Sequence, residues 1–76
     1  MNEQEVITEL IEEKIATLQH KVADTRATIE LYKNWQDGSP QQQRSRKRSF
    51  ENNSKILNDL EKKLLVFKKI LRGYQH

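Results

Sequence analysis

The fold class predicted is all-α: a two-helix antiparallel hairpin with coiled-coil-like packing, completed by self-association or by a helical partner. Three observations predict it. Ile11, Ile15, Leu18, Val22, Thr25, Ile29 and Tyr32 form one seam, and Phe50, Asn53, Leu57, Leu60, Leu64, Phe67, Leu71 and Tyr74 form a second. Both alternate steps of three and four, which holds one stripe on one side of an α-helix and has no strand interpretation. Between them lies the helix-breaking Asp37-Gly38-Ser39-Pro40. Finally, residues 1–13 carry five Glu and no basic residue, whereas residues 62–72 carry five basic residues and no acid, a distribution that favours folding back.

The single domain covers 1–76, with a first helix over about 3–36, a turn at 37–39 and a second helix over about 40–75. Glu3, Glu5 and Glu9 suit the first turns of the opening helix, where exposed amides and the helix dipole favour negative charge. No breaker occurs between Val6 and Gln36. Gly38 can adopt the left-handed conformation that ends a helix, Ser39 can cap the next, Pro40 suits a first helical turn, and Gln42 completes a Ser-x-x-Gln capping box. Lys68, Lys69 and Arg72 complement the carbonyl end of the second helix. A later start is the alternative, because Gln41 to Ser49 contains no apolar residue to pack.

Two registers are open. Facing residue numbers sum to about 75 if the turn is compact, placing Phe50 opposite Thr25, or to about 82, placing it opposite Tyr32. Thr25 and Asn53 interrupt the seams with polar groups, which either fix register or occupy tolerated, partly wet positions.

Composition narrows the function classes. Hydrophobic residues make up 34% and charged residues 33% of 76 residues, which suits long, solvent-flanked helices around a small core. Without cysteine there is no disulfide framework or thiolate chemistry, as suits a reducing compartment. No apolar run approaches the roughly 18 residues of a membrane span, and the acidic start is unlike a signal peptide, so a soluble chain is expected, either cytoplasmic or exported without a cleaved signal. His20 and His76 lack ligand spacing, and Glu12-Glu13 and Asp59-x-Glu61 read as solvated charges, because two helices enclose no pocket that could tune a carboxylate. No catalytic residue, metal site or cofactor is expected.

The apolar surface exceeds what one seam uses. Val6 and Leu10 lie off the first seam, and Ile56, Leu65, Val66 and Ile70 lie off the second. The segments around Val6 to Ile11 and Leu64 to Leu71 meet at the open end, where the apolar arc is too wide for one neighbour. A protein partner is expected there, as a homodimer or a dedicated hetero-partner, with Ile7, Ile11, Leu64, Phe67, Ile70 and Leu71 as candidate contacts.

A basic cluster, Arg44, Arg46, Lys47 and Arg48, follows the turn, with Tyr32 and Trp35 nearby as possible stacking surfaces for nucleic acid. Against that reading stand a net charge of only +3 and the lack of any recognisable nucleic-acid motif, whereas a solvated helix entrance accounts for the charges directly. Trp35 either covers the turn end of the seam or presents a contact at the tip.

Two resemblances follow from these residues. The Trp35-Gln-Asp-Gly38 turn resembles the Trp-x-Gly turn of small type VII secretion substrates, with one inserted residue and without their Tyr-x-x-x-acid tail. Asp37-Gly38-Ser39-Pro40-Gln41-Gln42, Phe50 and Ser54-Lys55-x-Leu57-x-x-x-Glu61 resemble the turn and second-helix opening of the YscE-like type III secretion co-chaperones, helical hairpins of about this length; the basic cluster departs from that pattern. The second resemblance implies a non-enzymatic role: pairing with a helical-repeat chaperone, so that together they keep a needle subunit soluble before export.

Overall fold

The computed structural model describes residues 2–35 and 38–74, and within them the chain is the expected hairpin. Helix α1 runs Glu3–Asn34 and helix α2 runs Pro40–Tyr74, packed side by side into a rod 59 × 16 × 14 Å. The first helix opens on a cap that the acid pattern alone did not reveal: the Asn2 side-chain oxygen accepts from the Glu5 amide at 2.8 Å. It stops at Asn34, with Trp35 already extended. The expected continuation to Gln36, and Asp37 of the turn, lie outside the described residues, as do Gln75 and His76.

The capping box is present in full. The Gln42 amide donates to Ser39 Oγ at 3.2 Å, and Gln42 Oε1 accepts from the Ser39 amide at 3.0 Å. Two amides left without helical carbonyls are thereby satisfied. The second helix therefore begins at Pro40, and the residues from Gln41 to Ser45 form exposed, solvated first turns; the later start is corrected. Gly38 has φ 140°, but it stands immediately before the Ser39 cap, so it serves the entrance to α2 more directly than the exit of α1.

Burial follows the seams. Ile11, Ile15, Leu18, Val22 and Leu60 form the core, with Leu57, Leu64 and Phe67 packed against the cluster of Leu18, Val22 and Leu60. The register falls between the two expected ones. Tyr32 shares one cleft with Gln43, Arg46, Lys47 and Phe50, whose spacing is that of the four residues forming a hole around a knob. Tyr32 thus meets its partner from each register, Gln43 and Phe50. Thr25 and Asn53 do not pair across the seam: Thr25 Oγ1 donates to the Lys21 carbonyl at 2.7 Å and Asn53 Nδ2 to the Ser49 carbonyl at 2.8 Å. Each polar group is satisfied inside its own helix, so neither specifies the register.

Candidate functional site

With Ile15, Val22 and Ile29 of α1 and Phe50, Leu57, Leu64 and Leu71 of α2 lettered a, and the other seam residues d, each helix has two flanks, one made of positions b and e and the other of c and g. Running the helices in opposite directions places like flanks on the same face. Arg26 and Glu61, both at e, demonstrate this with an ion pair of 2.9 Å between the two helices. The c and g positions of both helices therefore form the opposite broad face.

The two faces differ sharply in chemistry. Twelve charged side chains occupy the b/e positions of the two helices, against six at c/g. Conversely, Leu10, Leu31, Ile56, Val66 and Ile70 are large, exposed and all at c or g, and Trp35 follows Leu31 at the extended end of α1. Val6 lies at the outer rim of α1, Tyr74 at the end of the seam, and Leu65 stands on the charged face. Exposed apolar residues scattered singly need no explanation, but five on one side of a small two-helix rod, gathered at its open end and recurring towards its turn, make that side the candidate interaction surface.

The candidate contacts from the sequence divide between this face and the seam. Ile70 is exposed on the c/g face and Ile7, also at g, is half-buried. Ile11 is buried, Leu64 and Phe67 pack against the core, and Leu71 is half-buried at a seam position. The hairpin itself thus engages four of the six, while the accessible surface at the open end is made by Leu10, Val66 and Ile70. Leu31, 73% exposed, was not singled out from the sequence. Its c position, three heptads after Leu10, was the signal that could have found it. Together with Ala27, Tyr32 and Trp35 it lines an open apolar hollow at the turn end.

The basic cluster does not act as one patch. Arg44, Lys47 and Arg48 are exposed, but Arg46 turns into the seam beside Tyr32 and Phe50, and its Nη1 is buried without a hydrogen-bond partner among the described residues. At the open end, none of the N-terminal glutamates lies within ion-pair distance of the basic residues of α2 among the described residues; the other ion pair is Lys63 with Asp59, 3.0 Å apart within α2. Complementary charge there acts over distance and is screened by salt. No group of three His, Asp or Glu side chains is arranged to hold a metal, and no helix is long and apolar enough to cross a membrane, among the described residues. Comparison with protein-family models, curated proteins and solved structures finds no match.

Proposed function

We propose that this chain is a non-enzymatic protein-binding module that docks another protein on its c/g face. The observation that carries this reading is the placement of Leu10, Leu31, Ile56, Val66 and Ile70 on one side of the hairpin while the other side is more densely charged. The helix pair buries few side chains of its own, so a partner that binds only the folded hairpin adds stability through mass action. The resemblance at the turn and the opening of α2 gives the specific form: a type III secretion co-chaperone that stabilises a complex of a helical-repeat chaperone and a needle subunit in the cytoplasm. An apolar helical face fits the concave surface of a helical-repeat protein, where anchors at heptad spacing enter a groove.

The test is titration of the full chain with a purified type III helical-repeat chaperone, with and without its needle subunit. A stoichiometric complex that changes little with moderate salt and is lost in Ile70→Glu is expected. Failure to form any complex would rule out the co-chaperone reading. Binding to nucleic acid that weakens steeply with salt and disappears on replacing Arg44, Lys47 and Arg48 would instead establish the regulatory alternative.

A further inference from the structure

We infer that the c/g face of this hairpin is built to be covered by a second copy of the same chain, giving a symmetric four-helix bundle. The inference rests on reading that face as a protein-binding surface and names the occupant it takes when no other protein is bound, so that a chaperone would compete with the second copy for it. A two-fold interface must be complementary to itself, because the same patch lies on both sides. In charge this face is balanced, so it sets no excess of one sign against its own copy. Its charged residues are Glu3, Asp24 and Asp59 against Lys14, Lys21 and Lys63, three of each sign, and Asp59 and Lys63 are already paired 3.0 Å apart.

The net charge of +3 is therefore carried elsewhere, and two copies can approach through this face without net repulsion. The b/e face crowds twelve charged residues onto a similar area and offers Leu65 as its large apolar side chain. Size agrees as well. Seen from either broad side the rod outlines about 800 to 900 Å², which leaves room for the roughly 800 Å² per partner that a stable interface covers. Stacking two such faces surrounds one core with four helices, the usual way in which long amphipathic helices bury a stripe wider than a single seam.

Leu65 and Val66 make a matched pair for the test. They are neighbours in α2 and 52% and 53% exposed, yet they stand on opposite faces of the hairpin. The full-length chain is compared with Leu65→Glu and Val66→Glu by sedimentation equilibrium at about 1 to 100 µM, with helicity followed by circular dichroism. The expected result is a dimer for the wild type and for Leu65→Glu, with Val66→Glu dissociating at least about tenfold more readily at unchanged helical content. If Val66→Glu loses helicity, Val66→Ser takes its place, with the same expected ordering. A helical wild-type monomer throughout that range overturns the inference even where a chaperone still binds through Val66. Equal weakening by both substitutions overturns it too. A dimer sensitive at Val66 and insensitive at Leu65 supports it even if no type III chaperone binds.

Discussion

At Gly38 the backbone lies at φ 140°, a conformation that side chains resist, and a methyl group added there would meet Gln42 Oε1 at 2.8 Å. That oxygen accepts from the Ser39 amide, so Gly38→Ala both strains the turn and dislodges half of the capping box. A loss of about 1 to 2 kcal/mol is expected in urea unfolding. Gly73, within the last turn of α2, has nothing within 4 Å of an added methyl group. Gly73→Ala is therefore expected to shift the same curve the other way, by about 0.5 to 1 kcal/mol, through helix propensity alone. Two identical substitutions of opposite sign separate a conformational requirement from a vacancy. Leu18 is different again: at 2% exposure it is the most enclosed side chain, and Leu18→Ala is expected to cost about 2 to 5 kcal/mol, measured as a drop in urea midpoint at constant slope.

The two helices contain a polar interruption each, and their hydrogen bonds decide what those interruptions mean. Because Asn53 is bonded back to the Ser49 carbonyl, replacing it removes no contact across the seam. Asn53→Leu is expected to raise stability by about 1 kcal/mol and leave the hairpin register intact, checked by thermal unfolding and by retention of the Arg26–Glu61 pairing in a double-mutant cycle. Helix identity and the α2 entrance were legible in the sequence because they depend on local chemistry: a heptad period, a Ser-x-x-Gln box, a proline in the first turn. The register was not. It depends on how a knob such as Tyr32 settles among Gln43, Arg46, Lys47 and Phe50, a packing choice that a periodic pattern leaves degenerate by half a heptad. The exposed apolar face was half legible. Leu10, Ile56, Val66 and Ile70 were visible as surplus apolar residues, but assigning them to one side required knowing that like flanks share a face, and Ile11, Leu64 and Phe67 proved to be engaged by the hairpin's own seam.

For the whole molecule, the proposed pairing of two copies through the apolar face ties stability to protein concentration. The hairpin buries five hydrophobic side chains among the described residues, a modest core for two helices of 32 and 35 residues. When the dimer unfolds to two separate chains, a tenfold rise in protein concentration favours the folded side by about 1.4 kcal/mol per dimer. Two chains of 76 residues gain on the order of 300 cal/mol/K on unfolding, so the thermal midpoint should climb about 4 °C for each tenfold increase. Leu65→Glu should keep that slope, because the charged face stays in solvent in either state. Val66→Glu should flatten it and lower the midpoint at high concentration, converging on the wild type as both are diluted towards monomers. Scanning calorimetry over two decades of concentration reads all three curves. A wild-type midpoint that does not move with concentration would mean that the hairpin's own seam sustains the fold and that its apolar face awaits a different protein.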